Sequence, residues 1–289
     1  SSFGYLIHEL VKELAPQEFP GLIDVNAVDA AGVHPLLLAI GSERYMPFRE
    51  QKPEELLTIA NHLLGKGQTS LAKYLFIADQ ADDPSLDTHD VRKYFHHLLE
   101  RIDLSRDLHF QTKTTIDTLD YSGEGWNQGS KVVVACCGAP KRTLKASLPS
   151  NLKLPTGFSN PQFVQKGILA LQSPSYNDRK TALNDIEQLK AALSADDFEH
   201  IPMIVLTEDA SFLCQTLNNF VWVTFTRSNP SYDLHGLDSF YDNKHWGCRS
   251  LIIDARVKPH HAPPLIVDKK VSQQVDKLFR KGGSLYGSI

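Results

Sequence analysis

The stretch Arg101-Ile-Asp-Leu-Ser105-Arg-Asp107-Leu108-His109 returns as Arg227-Ser-Asn-Pro-Ser231-Tyr-Asp233-Leu234-His235. Arg, Ser, Asp, Leu and His recur at the same internal spacing, 126 positions later. Stacked repeats run at periods of roughly 20–50 residues, so this echo is no solenoid. It constrains the chain to a duplicated unit whose halves have diverged, and the segments around each copy say what kind of unit.

In the first half, the apolar run Pro35–Ile40 closes at Gly41 and reads as a buried strand. Pro53 suits a first helical position, Glu54 and Glu55 complement the positive end of a helix, and Gly65 can end it. Leu56, Ala60, Leu63 and Leu64 form its apolar stripe. Tyr74–Ala78 is a second buried strand, ending at Asp79 before a polar loop. Thr88 is expected to cap a helix that buries Val91, Phe95, Leu98, Leu99 and Ile102. Asp107–Thr115 then returns as a strand.

The second half repeats this order, with a strand at Gly167–Leu171 and a helix capped by Asp178 that carries Leu183, Ile186, Leu189 and Leu193. A strand at Met203–Leu206 follows, then acidic Glu208 and Asp209. Propensity reads Phe220–Thr226 as a strand, but the register of the repeat predicts a helix over 212–227. Between the copies, Ser122–Phe158 reads as a turn-rich connector containing the strand-like Lys131–Cys136. Leu251–Val257 is a last strand, and Val271, Val275, Leu278 and Phe279 stripe a terminal helix over 268–281. The alternation predicts an α/β fold with three-layer α/β/α packing, in two related subdomains over residues 1–125 and 126–289. Ligands in such sheets sit beyond the carboxyl ends of strands, where Asp79 and Glu208 fall.

A net charge of −4 gives no basic footprint, which argues against a nucleic-acid partner. No apolar run approaches a membrane span, and the N-terminus lacks a signal-peptide pattern. The four cysteines form no C-x-x-C pair and read as buried free thiols of a reducing cytosol, so a cytoplasmic protein is expected. The chain starts Ser1-Ser2-Phe3 without methionine and reads as a piece of a longer protein.

Few residues suggest chemistry of their own. Asp79, Asp82, Asp83, Asp87 and Asp90 crowd one loop, but Pro84 and the missing glycine and glutamate defeat an EF-hand, leaving a capping role. His245, Asp254, His260 and His261 are zinc-type residues without zinc-type spacing, and Pro259, Pro263 and Pro264 suggest a rigid segment instead. Gly123-Glu124-Gly125 lacks the strand-turn-helix setting of a dinucleotide motif. Of His96 and His97 on the helix, one is expected in solvent and one packed at an edge. No G-x-S-x-G elbow occurs.

The run Lys73-Tyr-Leu-Phe-Ile-Ala-Asp79, the acidic loop after it, the helix from Asp90, and the turn carrying Arg101, Asp103, Arg106 and Asp107 resemble the C-terminal domain of UbiD-type decarboxylases. Thr115-Ile-Asp117-Thr-Leu119-Asp120 is similar to the segment that follows in that family, and Ile253 to Pro264 more loosely to the extension of its longer members. The resemblance covers residues 1 to about 125. It implies a reversible carboxy-lyase of aromatic or α,β-unsaturated acids, with prenylated FMN and a divalent metal held in a preceding domain that also carries the catalytic acids and arginine. No catalytic residue and no metal ligand therefore transfers to this chain. Lys73 is the one candidate contact to the flavin phosphate, with Lys66 as its rival. The implied partners are that flavin-binding domain, an aromatic acid substrate such as a quinone-ring precursor of ubiquinone or menaquinone biosynthesis, and further copies of the chain in a homo-oligomer. The alternative is a duplicated, non-catalytic assembly module of an unrelated enzyme; an α/β enzyme with its own pocket is a third reading.

Overall fold

Two five-stranded sheets with the same strand order and the same strand directions run through the chain. A computed structural model describes residues 2–42, 46, 48–123, 125–150, 152–263 and 267–288; Glu124 and Pro264, both singled out above, lie outside the described residues. The first half runs α1 (Ser2–Glu18), β1 (Leu22–Ala27), β2 (Leu36–Gly41), α2 (Pro53–Gly65), β3 (Tyr74–Asp79), α3 (Val91–Arg101), β4 (Leu108–Thr114) and β5 (Gly129–Cys136). The second runs β6 (Ser159–Gln165), β7 (Ile168–Gln172), α4 (Arg179–Ala192), β8 (Met203–Thr207), α5 (Ala210–Gln215), α6 (Leu217–Arg227), α7 (Pro230–Asp233) and β9 (Leu234–Leu237). It then continues through the hairpin β10 (Phe240–Asp242) and β11 (His245–Gly247) to β12 (Ser250–Asp254) and α8 (Lys269–Phe279).

The sheets read β1-β2-β3-β5-β4 and β6-β7-β8-β12-β9. In each, the three central strands are parallel and the two edges antiparallel. The registers also agree: Leu36, Tyr74 and Val132 lie abreast in the first sheet, as Ile168, Met203 and Leu251 do in the second. Lys131–Cys136, read above as part of a connector, belongs to β5 and lies between β3 and β4. The first sheet is thus incomplete at residue 125 and closes at Cys136.

Strand parity sorts the core. Leu36, Leu38, Tyr74, Phe76, Val132 and Val134 point to one face of the first sheet, and Leu37, Ala39, Leu75, Ile77 and Val133 to the other. The first set shares one core with Ile168, Met203, Val205, Leu251 and Ile253 of the second sheet. Between the sheets lie α3 and α6, whose Phe95 and Phe225 meet Tyr74 and Phe76 edge-to-face, with Phe220 against Phe95 and Phe225 in turn, at ring separations of 5.0–5.9 Å. Helices α1 and α2 cover the outer face of the first sheet, and α4 the outer face of the second. Each sheet is therefore the middle of an α/β/α sandwich, and the two sandwiches share their inner helix layer.

The contested segment is helical, as the repeat register requires, because burial of Phe220, Val221, Val223 and Phe225 against both sheets outweighs their β-propensity. The helix breaks at Thr216, whose side chain accepts a hydrogen bond from the Asn219 amide and starts α6 afresh. Thr88 corrects the expected cap: Asp90 caps α3 by accepting from the Lys93 amide, while buried Thr88 donates its hydroxyl to Asp24. Asp178 caps α4 as expected. The β6–β7 hairpin turns through Gly167 at φ +85°, where a side chain would also strike Leu144.

Candidate functional site at the seam

The two copies of the echo form one turn twice. In the first, the Asp107 carboxylate accepts from the Asp103 amide at 2.7 Å while the Asp107 amide donates back to the Asp103 carbonyl at 2.8 Å. In the second, the Asp233 carboxylate accepts from the Asn229 amide at 2.6 Å and the Asp233 amide returns to the Asn229 carbonyl at 2.9 Å. Each aspartate thus locks the exit of a helix onto the start of an edge strand, α3 onto β4 and α6–α7 onto β9. Each turn also docks on the opposite half. Leu104 of the first accepts from the Cys248 amide at 3.0 Å, ahead of β12. In the second, Asn229 accepts the Ser130 hydroxyl, which itself accepts from the Ser231 amide at 2.8 Å.

Arg101 and Arg227 stand outside these locks. Arg101 donates to the His97 carbonyl at 3.0 Å on its own helix, whereas Arg227 reaches Glu208 at 3.4 Å and lies over the Trp222 ring. Glu208, at the carboxyl end of β8, also accepts from the Val257 amide and so ties down the segment after β12.

A buried charge network lies behind the second turn. Lys73, immediately before β3, is 1% exposed; its ammonium contacts Asp120 at 2.7 Å and donates to Ser122 at 2.7 Å. Burial pulls the Lys73 pKa down, and Asp120 offsets part of that shift. Across the seam, the Lys258 ammonium donates to the carbonyls of Arg227, Asp254 and Arg256 and lies 3.4 Å from Asp233. Burial pushes the Asp233 carboxyl up to about 6 despite the nearby ammonium. Arg256, fully buried, grips Asp254 through Nε and Nη2 at 2.9 and 2.8 Å and reaches Asp185 at 2.8 Å. Tyr74 and Ser228, one from each half, are joined by a buried hydroxyl contact of 2.7 Å.

This geometry bears directly on the sequence candidates. Lys73 is enclosed and paired, so its ammonium does not present itself to a phosphate; Lys66, the rival, pairs with Glu18. The residues around Lys73 do not fit an open flavin-phosphate cradle. His245, Asp254, His260 and His261 are not brought together: Asp254 is held by Arg256, His245 faces His109 across β4, and His260 and His261 pack on each other. The three-residue group suited to a cation among the described residues is Asp24, Asp87 and His89, which sequence reading did not assemble because they come from β1 and a distant loop. The acidic loop serves the backbone. Asp79 accepts from the Ala81 amide, Asp82 from Gly138 and Asp83 from Ser85, and the last set holds the Asp83 carboxyl down at about 2. His97 is buried with its pKa lowered to about 4 by desolvation, while His96 reaches Glu100 in solvent. All four cysteines are free, with three buried.

Residues 1–136 match the family model of the 3-octaprenyl-4-hydroxybenzoate carboxy-lyase C-terminal domain, the same span that completes the first sheet. The chain carries a UbiD-family C-terminal domain. Similarity to curated proteins runs through both halves. An uncharacterized protein of Chlamydia trachomatis is 33% identical over 275 residues, covering 94% of this chain and 43% of the relative. A 4-hydroxybenzoate decarboxylase subunit of Chlamydia pneumoniae is 31% identical over 283 residues, 95% of this chain and 43% of that protein. The chain thus spans less than half the length of these relatives. Among solved structures, the closed form of the vanillic acid decarboxylase of Sedimentibacter hydroxybenzoicus aligns with 54% of this chain and 31% of its own, at 17% identity and a TM-score of 0.38. The UbiD-class enzyme HmfF of Pelotomaculum thermopropionicum in complex with FMN aligns with 51% and 31%, at 13% identity and a TM-score of 0.38.

Proposed function

We propose that this chain is the C-terminal, non-catalytic part of a prenylated-FMN-dependent carboxy-lyase acting on an aromatic or unsaturated acid. The observation that carries the reading is the agreement between the family match over 1–136 and a first sheet that closes at Cys136. The named chlamydial relative supports a decarboxylase of an aromatic acid, whose product would suit quinone-ring synthesis. The flavin and its metal would supply the chemistry of carbon–carbon cleavage from a preceding domain. The present residues hold the fold that faces it and exclude water from the seam.

On this reading Lys73 is a structural residue. For it to touch a flavin phosphate it would have to leave Asp120 and Ser122, an exchange disfavoured by the buried carboxylate left behind. We assign the units as 1–136 and 159–254, joined by the connector. In α8 no residue is buried, and Val271, Val275, Leu278 and Phe279 form an exposed stripe suited to assembly with another copy. Among the described residues no helix is long and apolar enough to cross a membrane, and the buried free thiols suit a reducing cytoplasm.

The test is co-expression of the full-length protein with a prenylated-flavin synthase, followed by decarboxylation assays on a panel of aromatic acids. The full-length protein should turn over at least one acid and the 289-residue chain none. Activity of the short chain alone, or a full-length protein that binds no flavin, would overturn the reading.

A further inference from the structure

A cleft of about 270 Å³ opens beside the second turn and belongs almost wholly to the second half; only Ser122 and Gly123 reach it from the first. One wall is the apolar side of α4, with Leu183 and Ile186. Tyr176 and Tyr232 form the facing sides, and buried Asp233 lies at the floor. At the mouth the Arg179 guanidinium lies over the Tyr232 ring, 4.2 Å from its centroid, and among the described residues no carboxylate pairs with it. The site lies where α/β sheets bind ligands, past the carboxyl ends of β7 and β12. An arginine without a carboxylate partner, laid on the Tyr232 ring beside an apolar wall, is a binding surface lacking only an anion.

The surroundings narrow the ligand. The start of α4 is closed by Asp178, which accepts from the Thr181 amide and hydroxyl, so the helix end does not offer its amides to a phosphate. Asp233 and Asp254 in the floor are already balanced by Lys258 and Arg256, which leaves Arg179 as the cation for an incoming anion and matches it to a single negative charge. The apolar wall leaves a small inorganic ion with nothing to cover it. We propose that this cleft binds a singly charged organic acid, its carboxylate on Arg179 and its apolar body against Leu183 and Ile186 between the two tyrosines. The site is separate from the flavin chemistry proposed above and stands or falls without it.

Titration of the 289-residue chain with benzoate, followed by calorimetry and by NMR of the tyrosine rings, tests this. Benzoate should bind saturably and shift the Tyr176 and Tyr232 signals. Benzamide, which lacks the charge, and acetate, which lacks the body, should each bind at least tenfold more weakly. Arg179→Gln, at an exposed position, should weaken benzoate at least tenfold with an unchanged circular dichroism spectrum. Leu183→Glu, which sets a like charge in the wall, should do the same. The proposal is overturned by absence of saturable benzoate binding, by acetate binding equally well, or by affinity that neither variant alters.

Discussion

The turns at Asp107 and Asp233 share a backbone lock but differ in what surrounds the carboxylate. Asp107 is balanced by Arg106, its neighbour in sequence, whose guanidinium is 41% exposed and 2.8 Å away. Asp233 faces Lys258, which is buried and comes from a segment beyond the last strand. Duplication copied the lock, and divergence changed its counter-ion from a local, wet one to a distant, dry one. The first turn is a fastening. The second is a fastening that also forms the floor of a cleft.

That contrast orders the expected effects of mutation. Asp233→Ala leaves the Lys258 ammonium buried without its carboxylate and should cost about 3–5 kcal/mol in chemical denaturation. Asp107→Ala removes an acceptor from the Asp103 amide but leaves Arg106 free to turn to water, so about 1–3 kcal/mol is expected. Equal costs would mean that the two environments do not differ. Gly247→Ala tests the docking of the hairpin on the first turn. Its methyl would stand 2.9 Å from the Ser105 backbone, and overpacking of this kind costs roughly 1–3 kcal/mol. Ser130→Ala removes the hydroxyl that joins Asn229 and Ser231 to β5 and should cost about 1 kcal/mol.

Acidity sharpens the same comparison. The Asp233 carboxyl stands at about 6 when folded, against an ordinary 3.8, so the folded state holds its proton more tightly than the unfolded state. Its contribution is therefore full below about pH 4 and lost as pH rises through about 6. Denaturation midpoints of the parent should fall relative to Asp233→Asn across that window. Parallel pH profiles would show that Asp233 is not held in a desolvated site.

The order of strands and helices was legible because each half states it once and confirms it in the other. The repeat register settled α6 where Phe220–Thr226 alone reads as a strand. What escaped were features set by contacts distant in sequence. β5 read as connector because its partners, β3 and β4, come from earlier parts of the chain. α1 and β1 carry no repeat signal, and among the described residues α1 has no counterpart in the second half. Lys73 read as a strand-opening lysine within reach of a phosphate; its partner Asp120 is 47 positions away, and spacing says nothing about such pairs. The cleft was invisible for the same reason, since Arg179, Tyr232 and Lys258 meet only in the folded chain.

The central claim is that two copies of one unit close over a single core, in which α3 and α6 serve both sheets. Scanning calorimetry of the 289-residue chain tests it most directly. One transition is predicted, with calorimetric and van't Hoff enthalpies in agreement and Asp233→Ala lowering its midpoint without splitting it. Two resolved transitions, only one of them moved by Asp233→Ala, would contradict the shared core and make the halves independent domains.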